Sequence, residues 1–164
     1  MTWRQPETMA PYRHTQFGWA IAAGTVVGLA FATLLTVSLS AETTNAARWM
    51  VVALFGILVA AFFLLATLTV EVDASEARLR FGIGLIRKSV AIADIVRCDV
   101  VRTPVWWGWG LHWTPSGWLY NVSGRDAVRI EVRGERAVIV GSDDAPALKR
   151  ALDERRHATR PDAR

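Results

Sequence analysis

Two long apolar segments open the chain. The stretch 17–39 contains no charged residue, and at about 1.5 Å per residue it is long enough to cross a hydrocarbon layer of about 30 Å. Uncharged residues also fill 49–70, where Leu, Ile, Phe and Val dominate. We therefore predict a transmembrane hairpin at 17–70, with helices at 17–39 and 49–70.

These segments allow two other interpretations. The first segment can be a cleaved signal peptide, since Ser38 and Ser40 are small residues near its end. It is, however, longer than the apolar core of about 7–15 residues that such peptides carry. A pair of buried core helices is the other interpretation, but neither segment has the polar face of a helix in a soluble domain.

The distribution of charge predicts which side of the membrane each segment occupies. Only the short loop 40–48 joins the two helices, so both chain ends lie on one side. Arg4 and Arg13 precede the first helix, whereas the loop carries Arg48 alone. Four more basic residues follow the second helix, namely Arg78, Arg80, Arg87 and Lys88. By the positive-inside rule, we expect a multi-pass protein of the cell membrane with a cytoplasmic N-terminal arm at 1–16 and a cytoplasmic C-terminus.

Beyond position 70 apolar and polar residues alternate, which is typical of strands with one buried face. In 126–133, Val128, Ile130 and Val132 can point inward while charged residues point to water. The pattern predicts seven antiparallel strands, at about 66–73, 77–83, 86–91, 95–102, 117–122, 126–133 and 137–140. A helix capped by Ser142 or Asp143 closes the domain.

Seven antiparallel strands followed by one helix is the element order of a pleckstrin-homology-type barrel, in which the helix plugs one open end. The sequence also resembles bacterial membrane proteins with a pleckstrin-homology-like domain. The similar segments are 85–95 (LIRKSVAIADI), 107–110 (WGWG) and 113–124 (WTPSGWLYNVSG), the last two resembling one actinobacterial-looking subgroup. That family is largely uncharacterised, so the resemblance implies a mainly-β barrel and a membrane location but no catalytic residues. We expect the barrel at 71–157 and a disordered tail at 158–164.

Five tryptophans crowd into the segment 106–118. They are Trp106, Trp107, Trp109, Trp113 and Trp118, interleaved with glycines. The rings can fill the core of a small barrel, or Trp106 and Trp107 can lie on a loop that enters the lipid headgroup region. A third interpretation is a ligand pocket. Trp106, Trp107 and Trp109 are the candidate residues for binding lipid or a partner.

Four basic residues lie on or near the first hairpin of the predicted barrel. Arg78 and Arg80 alternate along one strand, and Arg87 and Lys88 follow on the next. They are candidates for contact with anionic phospholipid or with a partner. The alternative is an ordinary solvated strand face.

The charged residues, the cysteine and the histidines of the chain argue against several classes of function. The net charge of +4 is spread among acidic residues, so no dense nucleic-acid-binding surface is expected. The single cysteine, Cys98, excludes an internal disulfide and alternates with apolar residues as a buried strand residue does. The three histidines, His14, His112 and His157, have no spacing that suggests a metal site. We therefore expect no cofactor, no metal and no enzymatic activity.

Small residues at helical spacing suggest close helix packing at Gly24, Gly28 and Gly56, within the hairpin or in a homodimer. The leading hypothesis is a membrane-anchored, non-catalytic binding or scaffold module that engages a protein partner or anionic lipid at the cytoplasmic face. One alternative is a small-molecule sensor or enzyme with a pocket around Trp109, His112 and Trp118. Another is a structural membrane homo-oligomer assembled through Gly24 and Gly28.

Overall fold

The computed structural model describes residues 10–38 and 44–159. It contains two early helices, α1 at Trp19–Ser38 and α2 at Asn45–Leu65, with mean hydropathies of 2.1 and 2.3. Each is long and apolar enough to cross a membrane. The predicted helices are therefore present with shifted ends. The second ends at Leu65, because the residues that follow pair in a β-sheet.

A strand that precedes α1 pairs with the strand that follows α2. Strand β1 (Tyr12–Phe17) runs antiparallel to β2 (Thr67–Val72), and Phe17 lies opposite Thr67. Part of the predicted N-terminal arm thus belongs to the β domain. Both helices leave this sheet at the same end, which we call the helix-bearing end; the opposite end of the domain is the far end. Only Gly18 and Ala66 separate the helices from the strands, and the Gly18 N–H donates to the Ala66 carbonyl at 2.7 Å.

Two sheets build the domain. The first has the order β1-β2-β3-β4, with β3 at Glu76–Phe81 and β4 at Ile86–Ala91. The second has the order β5-β8-β9-β7-β6. Its strands are β5 (Ile95–Arg102), β6 (Gly110–Thr114), β7 (Gly117–Asn121), β8 (Asp126–Val132) and β9 (Val138–Gly141).

The prediction of a closed, fully antiparallel seven-stranded barrel is wrong. All seven predicted strands are present, but β1 and β6 bring the number in the described residues to nine. A 3-10 turn at Ile92–Asp94 separates β4 from β5, and the two strands belong to different sheets. In addition, β7 and β9 pair in parallel. Strand β8 lies between them in the sequence and runs in the opposite direction, so β9 has the same direction as β7.

The core lies between the two sheets and the C-terminal helix α3 (Ala145–Thr159). Helix α3 buries Leu148 and Leu152. Its cap is Asp144 rather than the predicted Ser142 or Asp143, since the Ala147 N–H donates to the Asp144 carboxylate at 3.1 Å. The Ser142 hydroxyl instead accepts from the Asp144 N–H, at 3.2 Å. These bonds satisfy donors that would otherwise be unpaired at the first turn.

Candidate functional site

The loop between β5 and β6 lies at the helix-bearing end. A Cβ added to Gly18, at the start of α1, would lie 2.8 Å from the carbonyl oxygen of Val122, directly after β7. Strand β6 begins at this end, because Gly110 pairs with Asn121. Strand β5 ends there too. Its last residue, Arg102, pairs with the first residue of β8, and the start of β8 pairs with the end of β9, which runs parallel to β7. The loop 103–109 therefore begins and ends at the helix-bearing end.

The turn between β3 and β4 is fixed at the same end, against the last turn of α2. The Gly82 N–H donates to the Thr67 carbonyl at 2.8 Å, and the Ile83 N–H to the Phe63 carbonyl at 3.3 Å. Gly82 has φ +47°, and a Cβ there would overlap the Phe63 carbonyl oxygen. Only glycine fits this conformation and this close approach without strain.

Large apolar side chains at the helix-bearing end are open to the surroundings. Trp106 is 84% exposed, and Leu85 is 73% exposed. Their neighbours Val105 and Ile83 and the first residue of α1, Trp19, are exposed as well. Soluble surfaces rarely group large apolar residues in this way, and such groups mark contacts with membranes or with other proteins. Sequence reasoning identified Trp106 but missed Ile83 and Leu85. The pattern that could have indicated their exposure is two large apolar residues alternating with the glycines of a turn, Gly82 and Gly84.

The tryptophans predicted as one cluster divide between the two ends of the domain. Trp107 is half-buried and packs with Leu119 and Ile139 in a small second core on the outer face of the five-stranded sheet. Trp109, immediately before β6, stays at the helix-bearing end and is 46% exposed. The core interpretation thus describes Trp107, whereas Trp106 has the exposure that a lipid-facing residue requires.

Trp113 and Trp118 lie directly opposite each other at the far end of the β6–β7 hairpin. His112 lies opposite Leu119, and successive residues of a strand face opposite sides of a sheet. His112 and Trp118 are therefore on different faces, and the pocket suggested around Trp109, His112 and Trp118 is not formed. Among the described residues no group of three or more His, Cys, Asp or Glu side chains is arranged to hold a metal ion.

The four basic candidates also separate. Arg80 and Arg87 lie directly opposite each other in the second row from the turn at the helix-bearing end. Arg87 donates to the backbone carbonyl of Gly84, and the carboxylate of Glu71 lies 3.7 Å from Arg80. Two like charges directly across a strand pair destabilise a sheet slightly, so this pair suits an anionic ligand.

The other two basic candidates have closer carboxylate partners than Arg80 has. Arg78 shares the outer face with Arg80 but contacts Glu76 at 2.5 Å and Asp73 at 3.3 Å, and the hydrogen bonds that it donates to the Glu76 carboxylate raise the pKa of Arg78. Lys88 lies opposite the buried Leu79, so it projects on the opposite face of the sheet, where it forms an ion pair with Glu135 at 3.0 Å. The candidate anion-binding surface therefore consists of Arg80 and Arg87.

The predicted helix-packing glycines have different surroundings. A Cβ at Gly28 would lie 2.9 Å from Leu58 Cδ1, so Gly28 serves contact between α1 and α2. Within the described part of the chain, nothing lies within 4 Å of a Cβ added at Gly24 or at Gly56. These two positions are open to a further helix or to lipid.

Comparison with known proteins adds no assignment: no protein-family model matches the chain, and no curated protein is significantly similar to it. Function therefore has to be inferred from the geometry of the chain itself.

Proposed function

We propose that the chain is a membrane-anchored, non-catalytic binding module, in which α1 and α2 span the cell membrane and a pleckstrin-homology-like domain stands on its cytoplasmic surface. The observation that carries the proposal is the pairing of β1 with β2. Because Phe17 lies opposite Thr67, the folded sheet requires residues before α1 and after α2 to be on the same side of any membrane that the helices cross.

The surroundings of the helices support membrane insertion. Only 6% of each apolar span is buried within the described structure. Ala32 is the one buried residue of α1, and α2 has none. Apolar side chains exposed on all sides of a helix are unfavourable in water, whereas a helix satisfies its own backbone hydrogen bonds and is stable in lipid.

The helix-bearing end is the surface that we assign to lipid. Only one residue separates each helix from its strand, so the helices hold this end of the domain at the membrane. In that position Trp106, Ile83 and Leu85 reach the depth of the lipid headgroups. Indole rings favour that region. Arg80 and Arg87 lie one row further from the bilayer, where a basic residue gains about 1 kcal/mol from anionic phospholipid. The domain would thus rest on the membrane through an apolar rim backed by two guanidinium groups.

Charge supports a cytoplasmic position for the domain. Arg13 precedes α1, and Arg78, Arg80 and Arg87 follow α2, whereas the one basic residue at the opposite end of the helices is Arg48, in the first turn of α2. This asymmetry favours an orientation in which the loop faces outward and both chain ends face the cytoplasm.

Fusions of a green fluorescent protein and of an alkaline phosphatase test the topology. We expect fluorescence and no phosphatase activity from fusions at either chain end, because both ends are placed in the cytoplasm. Fusions that report opposite sides of the membrane would overturn the proposal.

Quenching of tryptophan by brominated phospholipid tests the lipid contact. In reconstituted vesicles, Trp106→Ala should lower the quenched fraction of the emission. Trp113→Ala, which removes an exposed ring at the far end, should not lower it. Equal quenching in the two variants would contradict the assigned surface.

A further inference from the structure

We propose that strand β6 is a docking site for an extended, acidic segment of a partner protein, which would add one strand to the five-stranded sheet. This inference specifies the protein partner of the proposed binding module. It rests on the proposed function in one respect, that the far end of the domain points away from the membrane. Its observations come from the far end of the domain, where none of the proposed lipid contacts lies.

The edge of the sheet supplies the backbone groups. Strand β6 is the last strand in the order β5-β8-β9-β7-β6, with β7 on one side and no other described strand on its second side. An edge strand presents N–H and C=O groups that pair readily with an extended chain. Partner segments often bind in this way, with hydrogen bonds providing affinity and alternate side chains providing specificity.

Side chains at this edge have the composition of an interaction surface. Trp113 and Trp118 form a cross-strand pair on one face, 54% and 43% exposed. The Arg136 guanidinium carbon lies 5.6 Å from the centre of the Trp113 ring. Trp and Arg are the residues most enriched among those that dominate binding energy at protein interfaces.

Charge indicates the chemistry of the partner. Among the described residues, Arg136 forms no ion pair with a carboxylate, although the neighbouring Glu135 is paired with Lys88. A segment lying beside Trp113 would therefore bring an apolar side chain to the ring and a carboxylate to Arg136. Because the Arg136 guanidinium lies against the Trp113 ring, both partner side chains have to be on the same face of the added strand, two positions apart. A segment in which valine and glutamate take turns on one face, with threonine on the other face, meets both requirements, and its β-branched residues favour the extended conformation.

The geometry disfavours a second copy of this chain as the occupant. Strand β6 runs from the helix-bearing end at Gly110 to the far end at Thr114. Antiparallel pairing of two β6 strands would place the helices of the two copies at opposite ends of the joint sheet. Two copies anchored in one membrane on the same side cannot adopt that arrangement.

A designed peptide tests the inference on the full chain in detergent micelles. The probe is a fluorescein-labelled peptide with the repeat Val-Thr-Glu-Thr, which puts valine and glutamate on one face, and its binding is followed by fluorescence anisotropy. We expect saturable binding that falls about thirtyfold in Trp113→Ala, the loss typical of a dominant interface residue, and that falls several-fold in Arg136→Gln. Trp106→Ala, at the helix-bearing end, should leave the affinity unchanged.

Two altered peptides keep the test independent of how the variants fold. A peptide with lysine in place of each glutamate should bind at least tenfold more weakly, because Arg136 would repel it. A fully N-methylated version of the glutamate peptide, which has no backbone N–H donor, should not bind. Absence of binding by the glutamate peptide, or equal binding by the N-methylated one, would overturn the inference. Neither result would affect the topology of the proposed anchor, which the fusions measure separately.

Discussion

Phe17 and Thr67 lie directly opposite each other in one sheet, although both long apolar helices separate them along the chain. The pairing joins the two ends of the helical hairpin through β1 and β2, which are neighbouring strands of the four-stranded sheet. It also means that the hairpin is an insertion between neighbouring strands of a β domain, rather than an anchor attached to one end of it.

This relationship predicts that the helices can be replaced by a turn. A variant in which Asn-Gly replaces residues 18–66 joins β1 to β2 through a two-residue hairpin loop, for which that dipeptide is well suited. We expect a soluble, monomeric domain with the β-rich circular dichroism of the parent.

The matched control for that variant is a fragment that begins at residue 72. It lacks β1 and most of β2, including the buried Leu68 and Val70, and its β3 becomes an unpaired edge. We expect this fragment to aggregate in size-exclusion chromatography. A well-folded fragment would show that β1 and β2 are dispensable and would contradict the importance of their pairing.

Gly82→Ala should destabilise the chain more than Gly124→Ala. Both glycines have positive φ, +47° and +72°, so each substitution incurs about 1–2 kcal/mol of backbone strain. Only at Gly82 does the added Cβ also meet the last turn of α2, at Phe63 and Leu64. That overlap should add about 1–3 kcal/mol. Thermal unfolding in detergent, followed by circular dichroism, measures the difference, and equal effects would contradict the contact between turn and helix.

Gly24 and Gly28 should respond differently to isoleucine. Gly28→Ile introduces a side chain against Leu58 and should loosen the packing of α1 on α2, lowering the unfolding temperature in detergent. Gly24→Ile, in open space, should leave that temperature unchanged. If the chain forms a homodimer through the exposed helix face, Gly24→Ile together with Gly56→Ile should abolish crosslinking in membranes, while Gly28→Ile should not.

Cys98 should be inert in the folded chain. It is 3% exposed, and burial, with a smaller contribution from Asp153, raises the pKa of its thiol to about 12. Because the thiolate is the reactive form, iodoacetamide at pH 8 should modify Cys98 only after denaturation, as mass spectrometry would detect. Rapid modification of the folded protein would contradict the packing of β5 against the core.

The same shift predicts a dependence of stability on pH. The thiol of the unfolded chain ionises near pH 9.0, below the pKa of the folded state. Because the folded chain holds Cys98 in its neutral form, the contribution of this thiol to the free energy of unfolding is fully present below about pH 9. It is lost as the pH rises toward 12. The pKa values of Tyr12 and Tyr120 are also raised by burial, so Cys98→Ala should reduce this alkaline dependence without removing it.

Local patterns predicted most of the strands. The alternation around Val128 and Ile130 indicates one buried face, and β8 is present at Asp126–Val132. Strand β1 was missed because its partner lies beyond two helices, so nothing in its own six residues shows that a pairing surface exists. Strand β6 was missed because its tryptophans and glycines gave no clear alternation.

The candidate site was predictable in part. Trp106 is exposed, as an interfacial tryptophan must be, but its neighbour Trp107 belongs to a small core. Arg80 and Arg87 do share one face, whereas Lys88 lies on the other. Which residues face together depends on strand register, and register is set by pairing between distant segments.

The sequence by itself determined that the chain has two apolar helices of membrane-spanning length, followed by most of a β-rich domain and a C-terminal helix, because hydropathy and its period are properties of contiguous residues. Tertiary structure alone decided that β1 pairs with β2 at the edge of the first sheet, that the loop at Trp106 begins and ends at the helix-bearing end, and that β6, with Trp113 beside Arg136, is left as an edge. Each of these depends on hydrogen bonds between residues far apart in the chain, and such contacts leave no periodic signal in the sequence.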